Sequence, residues 1–414
     1  MKLLYVTAAL PYGTGEAFIV AELDELERQG HELTIVPTRG RGPVVHEDAR
    51  ALERLIEEPR LLSLPIVCGA AIVAIAAPLR TARAILAIFS SRSLPIFAKN
   101  AAVVPKALWL ARRLRQLEIE HLHAHWGGTS STLAMLAAEV SGISWSLTLH
   151  RWDIAEDNLL AAKISAACFV RTISLSGLEE VQRRSQDQLD KLVVLPMGVQ
   201  LPSLQDRARA GTDVGRLLMA ANFVAVKGHR WVLESAAVLH RRGVEFRLDL
   251  AGEGPLRAET VEHARRLGLV ESVRFLGQLP HRELLRRLEE CEWDVVLLSS
   301  VETDDGEREG IPVILMEAMA AGIPVVAPRI GGIPELLDGG AGLLVGQADA
   351  QALADAVQLL LSNDDIRVRV ADAGRRRVAE SFSIESVVAA LAEHFRSCTA
   401  PPSSAALTLL DRPP

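Results

Sequence analysis

Residues 309–327 read EGIPVILMEAMAAGIPVVA, and this stretch decides how the fold of the second half of the chain is interpreted. Gly310 ends the preceding segment. Pro312 suits a first helical position, because its missing N–H would be unpaired there in any case. Residues 322–324, Gly-Ile-Pro, stop the helix before a run rich in β-branched residues. The stretch therefore predicts a helix that leads into a strand.

Two carboxylates, Glu309 and Glu317, stand eight positions apart across this helix start. If the backbone between them is helical, it rises about 12 Å and turns by about 80°. Both side chains would then lie along one side of the helix, with Glu309 at its N-terminus. The unpaired N–H groups of a helix N-terminus, here Ile311–Val313, bind anions. A diphosphate bound there would leave each carboxylate to accept sugar hydroxyls on either side, which suits a nucleotide-sugar.

The same segment, EGIPVILMEAMAAGIPVV, resembles the donor-binding motif of family four of the retaining glycosyltransferases. Those enzymes have the GT-B fold, in which two doubly wound, Rossmann-like α/β domains face a cleft and a C-terminal helix crosses back to the N-terminal domain. The resemblance is strongest over residues 215–345 and looser over 1–200. It points to transferases of exopolysaccharide and colanic-acid biosynthesis. Two glutamates on an ordinary amphipathic helix are the alternative for the segment alone, and the neighbouring motifs disfavour it.

Length and composition fit this resemblance. The chain has 414 residues, which suits two domains of about 200 residues each. Its net charge of -7 argues against general nucleic-acid binding, because proteins that follow a phosphate backbone usually carry a basic excess. The four cysteines are far apart and suggest neither a disulfide framework nor a zinc site, which indicates a reducing, cytoplasmic setting. They are Cys68, Cys168, Cys291 and Cys398.

Short β-branched runs alternate with helical segments in both halves of the chain, a rhythm that predicts parallel sheets with helices on both faces. The predicted strands are Leu3–Thr7, Leu33–Val36, Arg216–Ala221, Phe246–Ala251, Val273–Phe275, Val295–Leu298, Pro324–Ala327 and Gly342–Val345. The predicted parts are an acceptor-binding domain (1–200), a polar linker (201–214), a nucleotide-sugar donor domain (215–380), a crossover helix (383–397) and a flexible tail (400–414). The sequence alone leaves open whether the terminal helix returns to the first domain or stays on the second.

Lys227 precedes a predicted helix in the segment MAANFVAVKGHRWVLESA. A lysine in such a place is more often solvated, but the resemblance implies that it neutralises the leaving diphosphate. Many family members have an arginine about five residues earlier, where this chain has Asn222. Asparagine can hydrogen-bond a phosphate but brings no charge. The diphosphate would then be held more weakly unless His229 or Arg230 supplies the charge.

Two further loops of the donor domain are expected near the nucleotide. The run LAGEGPLR closes a strand and opens a helix, so that Gly252 and Gly254 let a ligand approach the backbone at the carboxyl edge of a sheet. By resemblance, the backbone around Leu276, in VRFLGQLP, flanks the base. Glycine-rich strand ends are common, so each signal is weak without the others.

In the first domain, the loop PYGTG follows the first strand and carries Gly13 and Gly15. Its freedom allows close approach to a phosphate or sugar, although a tight turn is equally compatible with the residues alone. By resemblance, this loop faces the donor. Similarity also covers HAHW and the H-x-x-D-I segment. By resemblance, His150 contacts the donor sugar or the acceptor hydroxyl and His125 lines the acceptor side, while Asp153 binds the acceptor or orients His150. A packed histidine is the alternative for His150.

A metal site is the alternative for the histidines, since positions 121, 123 and 125 of a strand point the same way. No carboxylate or thiolate completes such a site, and the resemblance implies catalysis without metal. We therefore expect no metal and no cofactor beyond the nucleotide-diphosphate sugar as co-substrate.

Residues 59–117 form a basic, apolar insert with nine Lys and Arg and no Asp or Glu. Leu61–Leu79 is uncharged over 19 residues, but Pro65, Gly69 and Pro78 interrupt it, which disfavours a bilayer-spanning helix. We expect peripheral docking on anionic lipid at the inner face of the plasma membrane, where apolar side chains enter the interface. A buried helix pair with solvated basic ends is the alternative.

Together these features predict a retaining glycosyltransferase that moves a sugar from a nucleotide-diphosphate sugar to a hydroxyl of a lipid-linked or saccharide acceptor. By resemblance the reaction is a front-face displacement. Two alternatives are a nucleotide-sugar epimerase of the same fold, which the Glu309/Glu317 pair disfavours, and a non-catalytic nucleotide-sugar-binding partner, which Asn222 motivates. The sequence predicts the class of donor and leaves the base, the sugar and the acceptor open.

Overall fold

The computed structural model describes residues 1–12, 16–40, 44, 50–57, 63–185, 188–202, 214–304 and 306–399. The chain separates into two units, one formed by Met1–Leu195 with Val388–Pro414 and the other by Pro196–Val387. Each unit contains a six-stranded sheet, and its neighbouring strands pair in parallel. The expectation of two doubly wound, Rossmann-like α/β domains is thereby confirmed. Most of the predicted linker 201–214 and the whole tail 400–414 lie outside the described residues.

The sheet of the first unit reverses its strand order between two neighbouring strands. Its strands are β1 (Lys2–Thr7), β2 (Glu32–Pro37), β3 (His121–His125), β4 (Trp145–Leu149), β5 (Val170–Thr172) and β6 (Leu192–Val194). They are arranged in the order β2-β1-β3-β4-β5-β6. In doubly wound folds, ligands bind at the carboxyl ends of the strands beside such a reversal. The loops after β1 and β3 are therefore the candidate binding loops of this unit.

Helices cover the first sheet. They are α1 (Val20–Arg28), α2 (Leu64–Ala76), α3 (Pro78–Ala87), α4 (Leu94–Gln116), α5 (Thr129–Ser141), α6 (Arg151–Glu156), α7 (Leu160–Ala166) and α8 (Leu175–Arg184), with short 3-10 turns at Ala17–Ile19, Ala51–Leu55, Ile88–Ser90 and Leu189–Lys191. Buried side chains of α4 and α5, such as Leu110 and Leu133, share one apolar core with Leu147 and Val170 of the sheet. Ser174 accepts a hydrogen bond from the N–H of Gly177 at 3.1 Å and so caps the N-terminus of α8.

The second unit has the same kind of reversal. Its strands are β7 (Gly215–Ala220), β8 (Phe246–Ala251), β9 (Val273–Gly277), β10 (Val295–Leu297), β11 (Val325–Pro328) and β12 (Leu343–Val345). They are arranged in the order β12-β11-β10-β7-β8-β9. The reversal lies between β7 and β10, which are neighbours in the sheet. The loops that follow these two strands are therefore expected to meet at one edge.

The helices of the second unit follow its strands, as the βαβ rhythm predicts. They are α9 (His229–Arg241), α10 (Arg257–Arg266), α11 (His281–Glu289), α12 (Val313–Ala320), α13 (Ile333–Leu336), α14 (Ala350–Ser362), α15 (Asp364–Ser381) and α16 (Ile384–Thr399), with 3-10 turns at Ala225–Lys227 and Asp338–Gly340. The strand Phe246–Ala251 has the predicted bounds, and the others differ by one or two residues, as is usual at element ends.

The terminal helix, α16, begins in the second unit, and its residues from Val388 onward belong to the first unit. The buried ring of Phe395 lies 6.3 Å from Tyr5, 5.0 Å from His121 and 5.9 Å from Phe169 between ring centroids. Burying an aromatic ring of this size is among the larger favourable contributions to a core. The expected return of the C-terminal helix to the N-terminal domain is confirmed.

The cysteine interpretation was wrong in one respect. Cys168 and Cys398 form a disulfide with a Cα–Cα distance of 6.0 Å, within the usual range for such bonds. They are 230 positions apart in sequence, so spacing gives no sign of the pairing. Only the return of α16 to the first unit brings Cys398 beside the start of β5. Cys68 and Cys291 are free.

The described part of the insert contains α2, α3, the 3-10 turn Ile88–Ser90 and α4. Its first two helices form a bent pair, and many apolar side chains from α2 to the start of α4 are exposed. Among the described residues, no single helix has both the length and the apolar composition needed to cross a membrane; Leu64–Ala76 and Pro78–Ser90 satisfy both together, bent by 113°. The inward-facing residues of α2 are Ile66, Gly69 and Val73. The exposed large apolar side chains are Leu64, Val67, Ile72, Ile75, Leu79, Ile85, Leu86, Phe89 and Leu94. A buried helix pair is therefore not what this segment forms.

Candidate functional site

The strand reversal of the second unit brings the predicted lysine and the first glutamate together. Lys227 ends the loop after β7, and Glu309 lies in the loop after β10. Lys227 Nζ donates to Glu309 Oε2 at 2.6 Å, and Ser300 Oγ donates to the same oxygen at 3.0 Å. Both charged side chains are partly exposed, so a ligand can reach them. Because β7 and β10 are neighbours in the sheet, Lys227 and Glu309 meet as a charged pair at the carboxyl ends of these two strands.

The helix after Glu309 begins later than the sequence suggested. Pro312 is the residue before the first helical position, with φ −73° and ψ 119°, and α12 starts at Val313. Glu309, Gly310 and Ile311 therefore approach the helix as non-helical backbone, and the predicted eight-residue helical rise between the two glutamates is wrong. Proline fixes its own φ and disfavours helical backbone in the residue before it. The first N–H groups of α12 still lack intrahelical acceptors, and the anion site expected at this N-terminus stays a prediction.

Two glycines allow the loops to pack backbone against backbone. Gly228 has φ +63°, and a Cβ atom there would lie 2.1 Å from the carbonyl oxygen of Ser299. Gly331 has φ +56°, and its Cβ would lie 1.8 Å from the carbonyl oxygen of Glu309. Contacts this short exclude any side chain. Gly228 thus fixes the loop of Lys227 against the end of β10, and Gly331 fixes the backbone of Glu309.

The second glutamate has a partner that the sequence did not suggest. Glu317 lies on α12 with a buried side chain, and His281, the first residue of α11, donates through Nε2 to Glu317 Oε1 at 2.6 Å. His281 follows Pro280, and a histidine at a helix start is unremarkable without coordinates. The proximity of α11 and α12 is a tertiary feature, so no local signal pointed to this pair.

The glycine loop after β8 lies beside the loop after β7. The N–H of Phe223 donates to the carbonyl of Glu253, between Gly252 and Gly254, at 3.0 Å. The N–H of Gly252 in turn donates to the carbonyl of Gly277 at 2.8 Å, directly after Leu276 in β9. The predicted glycine loop and the predicted base-flanking strand are therefore adjacent.

Asn222 is exposed in the loop after β7. Neither His229 nor Arg230, the suggested replacements for the missing arginine, offers an unpaired positive charge beside it. Burial lowers the pKa of His229 to about 4, so its ring is neutral at pH 7. That ring stacks on Phe223 at 4.1 Å. Arg230 forms an exposed ion pair with Glu234 on its own helix at 2.7 Å. The hypothesis that either substitutes for an arginine is not supported by this geometry.

In the first unit, a buried glutamate joins the loops after β1 and β3. The carboxylate of Glu16 accepts hydrogen bonds from Trp126 Nε1 at 2.7 Å and from backbone N–H groups of residues 8–10 at 2.6–3.0 Å. A carboxylate that accepts several donors is firmly oriented. The loop residues Gly13 and Gly15 lie outside the described residues. Sequence reasoning missed Glu16, although a glutamate directly after a glycine loop at a strand end was a usable signal.

His125 and His150, two of the predicted site residues, are in direct contact. Their Nε2 atoms are 2.8 Å apart, so one ring donates and the other accepts. Burial lowers the pKa of His150 to about 3 and that of His125 well below its usual range. Phe18 and Trp126 pack against His150 with centroid distances of 5.5 and 4.3 Å. Both imidazoles are therefore neutral hydrogen-bonding groups at pH 7.

The other two histidines of β3 bond to hydroxyls of the adjacent strand. His121 contacts Ser144 and Ser146 at 3.0 and 2.8 Å, and His123 contacts Ser146 and Thr148 at 2.8 and 3.0 Å. Burial lowers the pKa of His121 to about 3. These side chains satisfy one another inside the sheet. Within the described ranges, no group of three His, Cys, Asp or Glu is placed to hold a metal ion.

Asp153 and Lys163 support the two loops around His150. Asp153 Oδ2 accepts from the N–H of His150 at 2.9 Å. Lys163 Nζ, fully buried, donates to the carbonyls of Gly127 and Gly128 at 2.7 and 2.8 Å. Burial raises the pKa of Asp153 to about 6 and lowers that of Lys163 to about 7. Asp153 is thus a buried group that positions His150, which is one of the two roles expected of it. Its contact with an acceptor stays a prediction.

Comparison with known proteins identifies the family. The family described as Glycosyl transferases group 1 matches residues 205–377, which include Lys227, Glu309 and Glu317. The D-inositol 3-phosphate glycosyltransferase of Corynebacterium urealyticum is 35% identical over 319 residues, covering 69% of this chain and 73% of that protein. The chain belongs to the group 1 glycosyltransferases. The resemblance read from residues 309–326 is confirmed.

Other relatives of this group 1 glycosyltransferase match a shorter region. The amylovoran biosynthesis glycosyltransferase AmsK of Erwinia amylovora is 34% identical over 206 residues, 49% of this chain and 50% of that protein. The putative colanic acid biosynthesis glycosyltransferase WcaL of Escherichia coli is 34% identical over 197 residues, 47% of this chain and 48% of that protein. The chain thus spans about half the length of these curated relatives.

Solved structures confirm the GT-B fold of this group 1 glycosyltransferase. Anabaena HepE in complex with UDP superposes with a TM-score of 0.70 at 15% identity. The match covers 96% of this chain and 100% of that chain. A glycosyltransferase from Rickettsia africae gives a TM-score of 0.69 at 16% identity, over 96% and 98% of the two chains. At these identities the likeness concerns the fold.

Proposed function

We propose that the chain is a retaining glycosyltransferase that moves a sugar from a nucleotide-diphosphate sugar to an acceptor hydroxyl without a metal ion. The observation that carries this proposal is the pairing of Lys227 with Glu309 at the carboxyl edge of the second sheet, directly before the N-terminus of α12. A diphosphate-linked sugar needs groups that bind its phosphates and groups that bind its hydroxyls. The cation and the helix N–H groups suit the phosphates, and the carboxylate at the same edge suits the hydroxyls.

Each group has a distinct role in this proposal. A diphosphate replaces Glu309 as the partner of the Lys227 ammonium. The N–H groups of Ile311 and Val313, on either side of Pro312, which has none, bind the remaining phosphate oxygens. Glu309 then accepts hydroxyls of the donor sugar. Glu317 accepts hydroxyls of the ribose, and the backbone around Gly252 and Leu276 flanks the base.

The reaction we propose is a front-face displacement. The bond between the anomeric carbon and the phosphate oxygen breaks while a bond to the acceptor oxygen forms on the same face, and the acceptor proton passes to the departing phosphate. Lys227 stabilises the charge that develops on that phosphate. His150 is neutral because of its burial, so its role in this proposal is that of a hydrogen-bonding group and not of an acid. His125 fixes the tautomer of His150, and Asp153 fixes its backbone.

The acceptor we propose is a lipid-linked or polysaccharide precursor reached from a membrane surface, at the inner face of the plasma membrane. The exposed apolar side chains named above all lie between Leu64 and Leu94 in the chain. Ile75 and Leu79 are 82% and 78% exposed. Large exposed apolar patches mark interaction sites. The basic residues of the same segment, with no acidic residue between 59 and 117, give the surface the charge that anionic lipid attracts.

The chemistry of this surface favours lipid over a protein partner. Arg80 and Arg83 lie on α3 among the apolar side chains. Arg92 and Lys99 follow α3 in the chain, and each forms an ion pair with an acidic residue, Asp157 at 3.4 Å and Glu156 at 3.5 Å, so their charge is partly neutralised. Each basic residue near an anionic leaflet contributes about 1 kcal/mol of attraction at physiological ionic strength. A bent pair lying in the interface would bury its apolar face without spanning the bilayer. The names of AmsK and WcaL, which concern polysaccharide biosynthesis, agree with an acceptor of this type.

A panel of labelled nucleotide-sugars tests the reaction. Transfer or hydrolysis of one donor supports the proposal, and retention is read from the anomeric proton coupling of the product. Epimerised donor would instead indicate the epimerase alternative. Binding without turnover would indicate a non-catalytic partner, the possibility that Asn222 motivates.

Co-sedimentation with liposomes tests the membrane surface. We expect binding to vesicles that contain phosphatidylglycerol at low salt, weakened as salt rises, and little binding to phosphatidylcholine alone. The double change Ile75→Ser and Leu79→Ser removes binding, whereas Val270→Ser, an exposed apolar residue of the second unit, leaves it intact. Absence of binding to anionic vesicles at low salt contradicts the membrane proposal and leaves the sugar-transfer proposal untouched.

A further inference from the structure

Glu317 shares its carboxylate with a residue that neither the motif nor the family match assigns to the site. Its Oε1 accepts from His281 Nε2 at 2.6 Å. The Glu317 side chain is 7% exposed and that of His281 is 37% exposed. The carboxylate is thus held from inside the unit, while the imidazole reaches it from a surface that solvent can enter.

The position of His281 in the fold connects two sides of the donor site. It opens α11 directly after the segment that leaves β9 at Gly277. The carbonyl of Gly277 accepts from the N–H of Gly252, so the segment before His281 borders the glycine loop proposed to flank the base. His281 therefore lies in the chain segment that joins the proposed base contacts to the proposed ribose contact.

A carboxylate has two oxygens, and each can accept hydrogen bonds. With Oε1 engaged by the imidazole N–H, rotation of the Glu317 carboxylate is restricted, and Oε2 is left to accept from a sugar hydroxyl. An acceptor held in place before the ligand arrives loses less conformational freedom on binding. A histidine bond to a carboxylate is also among the stronger hydrogen bonds, because the acceptor is charged.

We propose that His281 is a positioning residue of the nucleotide site, which orients Glu317 so that its second oxygen binds the ribose hydroxyls of a nucleoside diphosphate. This inference rests on the proposed function. His281 acts through Glu317, and its removal weakens only the part of the affinity that comes from the ribose hydroxyls.

Titration calorimetry with the full chain tests this role. UDP, GDP and ADP are first titrated into the unaltered protein, and the tightest binder is then compared with its 2′,3′-dideoxy analogue. We expect the ribonucleotide to bind the unaltered protein about tenfold more tightly than the dideoxy analogue. His281→Ala removes most of this preference by weakening the ribonucleotide, while the dideoxy analogue binds as before. His281→Gln, whose amide N–H can also donate to a carboxylate, restores part of it.

Two controls separate a positioning role from a structural one. In a Glu317→Ala background, His281→Ala has no further effect if the histidine acts through the glutamate. His240→Ala is the matched control, because His240 is an exposed histidine near the C-terminal end of α9 in the same unit. It leaves the affinities for the ribonucleotide and for its dideoxy analogue unchanged. Equal weakening of the ribonucleotide and its dideoxy analogue by His281→Ala, or no weakening, overturns the inference.

The same titrations distinguish failure of this inference from failure of the proposed function. If none of the three nucleoside diphosphates binds the unaltered protein, the proposed donor class is wrong. If one binds with a ribose preference that His281→Ala leaves intact, only the role of His281 is wrong.

Discussion

Lys227 and Glu309 form an ion pair, with Nζ and Oε2 2.6 Å apart, although 82 positions separate them in the sequence. The pair exists because β7 and β10 are neighbours at the strand reversal of the second sheet. In the absence of a ligand each charge neutralises the other. In the proposed function, a donor diphosphate displaces Glu309 from the ammonium, and neither charge is unpaired before the donor binds.

Removal of the ammonium is expected to reduce turnover strongly. Lys227→Ala should lower kcat/KM for the donor by about a hundredfold, because a developing phosphate charge loses its cation. Lys227→Arg should retain part of the activity. Arg230→Ala is the matched control, since Arg230 carries a charge three residues away but is paired on the helix surface. Steady-state kinetics across donor concentrations decides this, and equal effects of Lys227→Ala and Arg230→Ala would rule out the assigned role.

Addition of a charge at Asn222 is expected to improve the enzyme. Asn222→Arg should tighten donor binding about fivefold, equivalent to roughly 1 kcal/mol for a partly screened charge near a phosphate. Asn222→Gln, which lengthens the side chain without charge, should leave affinity unchanged. Donor titrations and initial rates provide the measurement. Unchanged turnover and donor affinity in Asn222→Arg would remove the idea that a missing charge limits the reaction.

The buried Lys163 is expected to make stability depend on pH above neutrality. Burial lowers its pKa from 10.5 to about 7, so between these values the unfolded chain binds a proton that the folded chain does not. The free energy of unfolding therefore rises with pH in this window, by up to about 1.4 kcal/mol per pH unit from this group. Lys163→Met should remove that increase.

Asp153, next to the same loops, has the opposite sign. Burial raises its pKa from 3.8 to about 6, so the folded chain binds a proton more tightly than the unfolded chain, and stability from this group falls as pH rises between these values. Urea unfolding of the unaltered protein from pH 3.5 to 10 covers both windows. Comparison with Asp153→Asn below pH 6 isolates the aspartate, and comparison with Lys163→Met above pH 7 isolates the lysine. If the free energy of unfolding changed with pH in the same way for the unaltered protein and Lys163→Met above pH 7, the lowered pKa of the buried Lys163 would be contradicted.

The disulfide is expected to stabilise the first unit by tying α16 to it. Peptide mapping without reductant should find Cys168 joined to Cys398. Its loss in Cys398→Ser should lower the free energy of unfolding by about 2 to 4 kcal/mol under oxidising conditions. Cys68→Ser, at an exposed free thiol, is the control. Identical melting temperatures of the unaltered protein with and without reductant would argue against a stabilising bond.

Much of the donor site was predictable because its signals are local. The glycine and proline positions around 309–327 marked the start and end of a helix, and Lys227 stood directly before another. Their meeting followed from the βαβ order, since parallel strands place their carboxyl ends at one edge. The helix start was misplaced by one residue because proline at the N-cap and proline at the first helical position look alike in sequence.

The features that were missed depend on contacts between distant segments. His281 meets Glu317 only because α11 and α12 pack together, and Cys398 meets Cys168 only because α16 returns to the first unit. Two other features were among the alternatives that the sequence left open, and tertiary packing decided between them. Asp153 is buried beside His150 and positions it, and the apolar residues of α2 and α3 are exposed although their composition also suits a buried pair.

Calorimetric titration of a nucleotide-sugar panel into the unaltered protein, Lys227→Ala and Glu317→Ala tests the central claim most directly. The account predicts that one nucleotide-diphosphate sugar binds the unaltered protein with equal molar amounts at saturation, and that each substitution weakens binding about tenfold or more. Binding of no nucleotide-sugar by the folded protein, or binding that neither substitution affects, would contradict the claim that this charged edge is a donor site.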